Sequence, residues 1–245
     1  MTTLVSISDD LSSFIGSKRV ALVVDTCSVI DILRLPQRSD ENVAFGIREI
    51  EAAFYLIQES AAQSGIAKII LPHPVTTEIV DNRHEGLREL KNAIRSSRSK
   101  LEIFSRIHQL VGFASTLSAP EAELSLAGKA LEDLVDNLVA NSLSIQEDSQ
   151  SVTAAFARVV SGIAPSKKGA SQQMKDCSIV EHLLAVSPKL KDAGCERIIF
   201  ISSNKRDFCN EAGNLKEPLS SEFLGAGIDF VQRWQAAKAL ALTTS

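Results

Sequence analysis

Residues 20–28 read Val-Ala-Leu-Val-Val-Asp-Thr-Cys-Ser, an unbroken apolar run that ends at an acid. The run is rich in β-branched residues and does not alternate with polar ones, which is typical of a strand covered on both faces. Two further runs, at residues 68–71 and 197–201, have the same character, and a weaker run follows at residues 228–231. Together they predict a parallel sheet inside an α/β fold.

Apolar residues at helical spacing fill the stretches between these runs. Residues 44–62 and 75–116 are predicted to be mostly helical, and another apolar stripe runs from Leu131 to Val139. A polar loop at residues 164–170 precedes a further predicted helix over 171–186. Helices and strands therefore alternate at both ends of the chain.

This alternation predicts a single doubly wound domain with a mainly parallel sheet of four to five strands, flanked by helices. The core is expected at about residues 18–90 and 165–235. The block at about residues 95–163 is predicted to be a helical insertion or cap and not a separately folding domain with its own strands.

The composition is that of a globular protein. The chain has 245 residues, 44% of them hydrophobic and 23% charged, and a formal net charge of −4, which argues against holding duplex DNA by bulk charge. No stretch reaches the roughly 18 apolar residues of a membrane helix, and the first residues lack the basic region of a secretion signal. The four cysteines form no CxxC pair and predict reduced thiols. We expect a soluble, cytoplasmic protein.

An acid follows each of the three stronger strands. Asp25 comes directly after the first, Glu78 lies in the first turns of the helix after the second, and Asp207 follows the third. Ligands of doubly wound sheets bind beyond the carboxyl ends of the strands. These three side chains are therefore expected at one edge of the sheet.

Asp176 is a fourth candidate, because it precedes Ile179 and Leu183 by three and seven residues and so begins the apolar stripe of its helix. A carboxylate facing protein is costly to bury without a cationic partner. Structural roles stay open for the other acids: Asp25 as a helix cap, Glu78 as an acid favoured by the helix dipole, and Asp207 in a capping box.

Convergence of the four acids would require a cation. Two carboxylates about 4 Å apart repel by about 4 kcal/mol at an effective dielectric constant near 20. A cluster of oxygens without a Cys/His ligand pattern selects Mg²⁺ or Mn²⁺ over zinc. Such sites serve phosphoryl chemistry, in which the metal activates water.

These motifs resemble the PIN domain family of metal-dependent ribonucleases, and the resemblance covers roughly residues 18–90 and 165–235. The resembling pieces are Val-Val-Asp25-Thr-Cys-Ser-Val-Ile, Thr77-Glu78-Ile, Lys175-Asp176-Cys-Ser-Ile-Val and Ile199-Phe-Ile-Ser-Ser-Asn204-Lys-Arg-Asp207-Phe208. The long connection between the second and third acids is similar to that of larger bacterial PIN-like proteins with a helical insert.

The resemblance implies that Asp25, Glu78, Asp176 and Asp207 are both the catalytic residues and the ligands of Mg²⁺ or Mn²⁺. It implies endonucleolytic cleavage of single-stranded or structured RNA, in a toxin-type or RNA-processing role. Asn204 matches a position that is acidic in some members, and we expect it to orient Asp207 or the substrate. A neutralising antitoxin or a second copy of the chain is a possible partner; a membrane is not expected.

Four residues near the acids are predicted to contact substrate: Lys168, Ser203, Asn204 and Lys205. Lysines beside the acids could hold a phosphodiester backbone. The alternative is that they are solvated surface side chains with no role in binding. The single Trp234 and the scarcity of Tyr leave few platforms for stacking bases, which argues against sequence-specific binding of single strands.

Two other functions compete with the nuclease. A haloacid-dehalogenase-like phosphatase needs a second Asp two residues after the first, where this chain has Cys27. A catalytically inactive PIN-like scaffold would bind RNA or a protein, and the complete set of acids speaks against it.

Overall fold

The computed structural model describes residues 3–38, 43–110, 121–166 and 173–243. Six strands form one sheet in the order β1-β4-β3-β2-β5-β6, and every neighbouring pair is parallel. The predicted α/β fold with a parallel sheet is confirmed. The strands are β1 (Thr3–Ser6), β2 (Val20–Val24), β3 (Ala67–Pro72), β4 (Leu143–Gln146), β5 (Arg197–Ile201) and β6 (Ile228–Val231).

The helices flank this sheet. They are α1 (Ser12–Ile15), α2 (Thr26–Arg38), α3 (Val43–Ala61), α4 (His73–Leu110), α5 (Glu121–Asn141), α6 (Ser149–Ser161), α7 (Met174–Asp192), α8 (Lys205–Phe208), α9 (Leu219–Ala226) and α10 (Trp234–Leu242). The predicted helix over residues 44–62 is α3. The helix expected over 75–116 is α4, although residues 111–116 lie outside the described residues. The helix expected over 171–186 is α7, which extends six residues further.

The structure corrects the predicted strand count and the insertion. The block at about residues 95–163 is largely helical, but it contains β4, which pairs with β3 on one side and β1 on the other. This strand, which belongs to the main sheet of the domain, was not predicted from the sequence. With β1 and β4 the sheet has six strands in place of the predicted four to five.

The core lies around the central strands, as their continuous apolar sequences predict. Every residue of β2 is at most 1% exposed, and Ile198 to Ile201 of β5 are fully buried. Phe200 of β5 contacts the rings of Phe208, Phe223 and Phe230, with centroids 5.4–6.0 Å away. These contacts pack α8 and α9 against the sheet beside the carboxyl end of β5.

Arg158 joins the insertion to the rest of the domain. Its side chain, on α6, is only 5% exposed. Its Nε donates to Glu181 of α7 at 2.6 Å, and its Nη2 donates to both carboxylate oxygens of Glu222 of α9 at 3.0 Å. A fourth bond, from Nη1, reaches the carbonyl of Ala164 at 2.5 Å. One guanidinium thus ties three helices together and fixes α7, which carries Asp176.

Among the described helices, none combines the length and the apolar character needed to cross a membrane.

Candidate active site

Asp25 lies at the carboxyl end of β2, in the middle of the sheet. Its N–H donates to the carbonyl of Ile201 at 3.0 Å, which continues the pairing of β2 with β5 by one residue. Its side chain is buried, and its Oδ2 accepts a hydrogen bond from Ser202 Oγ at 2.7 Å. The carboxylate is therefore held where the two central strands end.

Glu78 reaches the same edge from the first turns of α4. Its Oε2 accepts a hydrogen bond from Thr26 Oγ1 at 2.8 Å, and Thr26 is the residue after Asp25. Its Oε1 lies 3.8 Å from the ammonium group of Lys175 on α7. Glu78 therefore sits between the end of β2 and the start of α7, where the resemblance placed it.

Asp207 belongs to α8, which follows β5. Asn204 is the N-cap of this helix: its Oδ1 accepts from the Asp207 N–H at 3.3 Å, and its Nδ2 donates to Asp207 Oδ2 at 3.0 Å. Gln173 Nε2 donates to the other carboxylate oxygen at 2.8 Å. Asn204 thus both caps the helix and orients the Asp207 carboxylate.

Asp176 lies in the first turn of α7 and completes the cluster. The pKa of Asp176 is raised to about 7, first by burial and then by the negative charges of Asp25, Asp207 and Glu78, while the nearby Lys175 opposes the rise. The pKa of Asp25 is raised to about 6 because burial, helped by the charge of Glu78, outweighs the opposing hydrogen bond from Ser202. The structure therefore brings the other three predicted acids within electrostatic reach of Asp176, and Glu78 within reach of Asp25.

The donor atoms at this edge suit a hard divalent cation. The four carboxyl groups and the amide of Asn204 offer only oxygen to a metal, the ligand type that Mg²⁺ and Mn²⁺ prefer. Within the described ranges, no three His, Cys, Asp or Glu side chains are placed to hold an ion together. The carboxylates of three acids instead accept hydrogen bonds from neighbouring groups: Glu78 from Thr26, Asp25 from Ser202, and Asp207 from Gln173 and Asn204.

The predicted substrate contacts have different positions. Ser203 donates its N–H to Ser28 Oγ at 3.0 Å, beside Asp25, and the exposed Lys205 begins α8. Lys168 lies outside the described residues. Trp234 is buried, and its indole N–H donates to the carbonyl of Ser28 at 3.1 Å, so it anchors α10 and offers no stacking face.

Cys27 lies beside the acids and is partly exposed. Burial raises the pKa of its thiol, and the nearby charges of Asp25, Asp31, Glu78 and Asp176 raise it further. The thiol therefore stays protonated at neutral pH and cannot replace the second carboxylate that a haloacid-dehalogenase site needs.

Three supporting residues were not predicted. Ser202 is the first residue after β5, so the pairing of β5 with β2 could have pointed to its contact with Asp25. Thr26 follows Asp25 directly, so its position in the sequence could have indicated that it lies at the site, where it bonds to Glu78. Gln173, which holds Asp207 from 34 residues away, carries no recognisable signal in the sequence.

A parallel α/β sheet with an acidic cluster beyond its central strands is the architecture of a hydrolase acting on phosphate esters. A family model described as PIN domain matches residues 22–208, a range that includes all four acids and the insertion. The chain belongs to the PIN domain family, whose members are generally nucleases. Searches among curated proteins and among solved structures gave no significant match.

Proposed function

We propose that this protein is an endoribonuclease that hydrolyses RNA phosphodiester bonds with the help of Mg²⁺ or Mn²⁺. The observation that carries the proposal is the convergence of four acids from distant parts of the chain, three of which act by their charge on Asp176. Burial and like charge raise the pKa of Asp25 to about 6 and that of Asp176 to about 7. A divalent cation opposes these shifts, because it favours the ionised form of every carboxyl group around it.

Asp25, Glu78 and Asp176 would hold the cation, directly or through water, and Asp207 would complete the cluster. A divalent cation bound here supplies activation of a water molecule and stabilisation of charge on the attacked phosphate. The neighbouring groups keep the carboxylates oriented: Ser202 for Asp25 and Asn204 for Asp207. Such fixed orientation lowers the reorganisation needed during the reaction.

The substrate backbone would be held by positive groups around the acids. Lys205 is exposed next to Asn204, and Lys175 is exposed on α7 at the rim of the cluster. With a net charge of −4, the chain relies on such local groups to attract a phosphodiester. The choice of RNA over DNA as substrate rests on the family resemblance.

The test is cleavage of a 5′-labelled RNA by the purified protein with Mn²⁺, Mg²⁺ or EDTA. We expect internal cleavage with either metal, none with EDTA, and a loss of at least a hundredfold in rate for Asp176→Asn. The matched control is Asp192→Asn, the same substitution at the exposed, far end of the same helix. Cleavage by Asp176→Asn at the wild-type rate would remove Asp176 from the mechanism.

The inactive scaffold predicts a different result in the same assay. A scaffold would bind RNA equally with and without Mn²⁺ and would cleave nothing. The nuclease is favoured because a surface that only binds a phosphate backbone gains nothing from a partly buried group of carboxylates, which would repel that backbone.

A further inference from the structure

A cavity of about 250 Å³ lies between α2, the start of α3, the start of α8 and the loop before α10. Ser28 and Ser203 form its wall on the side of the acids, and they are hydrogen bonded to each other at 3.0 Å. Ser202, the neighbour of Ser203, donates to Asp25. The side chain of Ser202 therefore links the wall of the cavity to the carboxylate of Asp25.

A stacked pair forms another side of the cavity. The guanidinium carbon of Arg233 lies 4.6 Å from the centroid of the Phe45 ring, in cation–π contact. Arg233 is exposed, and Phe45 is half-buried. Nucleic-acid bases stack on aromatic rings and on the planes of arginine guanidinium groups. The pair therefore provides a flat, positively charged surface for stacking. Few such surfaces were expected from the sequence, and Trp234 is buried and does not provide one.

The two acids of this cavity are already satisfied by protein groups. Glu49 accepts hydrogen bonds from the N–H groups of Trp234 and Gln235, at 2.9 and 3.4 Å. Asp31 accepts from Arg38 at 2.5 Å. The groups that a ligand in this cavity would meet are then Lys205, Ser203 and the stacked pair of Arg233 and Phe45, and cationic, hydroxyl and aromatic groups of this kind bind nucleotides.

We propose that this cavity is a nucleotide subsite of the nuclease, an inference that rests on the proposed function. The base of one nucleotide next to the scissile phosphate stacks on the pair formed by Arg233 and Phe45. Its phosphate lies between Lys205 and the hydroxyl of Ser203. The volume is just below the range of about 300–1,000 Å³ for drug-sized ligands, so the cavity admits a single base.

The test is a set of short, fluorescein-labelled RNAs, one intact and the others each lacking the base at a single position. Binding is measured by fluorescence anisotropy in EDTA at low salt, so that cleavage does not enter. We expect one position at which loss of the base weakens binding to the wild type by about five- to a hundredfold, the range for one stacked base. Arg233→Ala should bind the intact RNA more weakly than the wild type does, by about the same factor. Removal of that base from the RNA should not weaken binding to Arg233→Ala any further.

Two variants separate stacking from charge. Arg233→Lys keeps the charge but not the planar group, so it should behave as Arg233→Ala does at the sensitive position. Arg19→Ala removes one charge at the opposite edge of the sheet, before β2, and should bind every RNA as the wild type does.

The subsite would be refuted if removal of a base weakened binding to the wild type and to Arg233→Ala by the same factor at every RNA position. The outcome is independent of catalysis: absence of Mn²⁺-dependent cleavage would refute the nuclease, while the dependence on one base would still identify a nucleotide site. Conversely, cleavage without any dependence on Arg233 would leave the nuclease in place and remove the subsite.

Discussion

Replacement of Asp176 by Asn should stabilise the metal-free protein, and more at pH 8 than at pH 5. In the folded protein, burial and the charges of Asp25, Asp207 and Glu78 raise the pKa of Asp176 from 3.8 to about 7. Between these two values the folded protein keeps a proton that the unfolded chain has lost. The contribution of Asp176 to stability therefore falls as the pH rises from about 4 to 7. The Asn variant has no proton to lose.

The magnitude follows from the size of the shift. A rise of about three pKa units corresponds to about 4 kcal/mol of unfavourable free energy once the group is ionised in the folded protein. The side chain keeps partial contact with water, so we expect about half of this, about 2 kcal/mol, at pH 8. For a chain of this length that is a rise of about 4–8 °C in Tm. At pH 5, where the folded protein still holds the proton, the gain should be less than half as large.

The assay is thermal and urea unfolding followed by circular dichroism in EDTA, for wild type and variant at both pH values. The difference between the two proteins cancels the titration of all other groups to first order. Asp192→Asn is the control, and its free energy of unfolding should stay within about 0.5 kcal/mol of the wild type at both pH values.

Two results would refute this reasoning. An equal gain at pH 5 and pH 8 would mean that the variant acts through packing and not through a charge. A loss of stability at pH 8 would mean that the ionised carboxylate of Asp176 is well accommodated, and the account of four mutually repelling acids would then be wrong.

Three further results are expected. Mn²⁺ should raise the Tm of the wild type, but not that of Asp176→Asn, in differential scanning fluorimetry. At a hundred times Kd, the ion stabilises the folded wild type by about 2.7 kcal/mol. Equal rises in Tm for both proteins would place the ion elsewhere. Arg158→Met should cost about 3–5 kcal/mol in urea unfolding, because it leaves two carboxylates of a buried network without their partner; a change below 1 kcal/mol would contradict this role. Burial lowers the pKa of His182 to about 4, so the unfolded chain takes up its proton first and stability is lost as the pH falls from about 6.5 to 4. His182→Leu should flatten this decline in Tm, and an unchanged acid limb would count against it.

The central strands could be predicted from sequence because burial on both faces demands continuous apolar runs. β1 and β4 could not be predicted in the same way. β1 is half-exposed at the edge of the sheet, with only Val5 buried, and β4 has serines on both sides of Leu143. Strands of four residues with this composition can pair within a sheet, but they show neither a continuous apolar run nor a clear alternation in the sequence.

The site divides in a similar way. The acids could be placed because the carboxyl ends of parallel strands meet at one edge, which converts order along the chain into position in space. The contacts between Arg158 and Glu222, or between Phe45 and Arg233, join residues far apart in sequence through the packing of helices. Such packing depends on the whole fold, so no short sequence motif predicts these contacts.

The position of β4 has a consequence for how this chain assembles. Thr3 pairs with Leu143, so the first strand has no neighbour until more than half of the polypeptide has been synthesised. Until then the edge of β3 is open, and an unpaired strand edge is a template for association with other chains. Closing so long a loop is also entropically slow. Any shortened version that omits the insertion would make this transient exposure permanent, because it would delete the strand that joins the two sides.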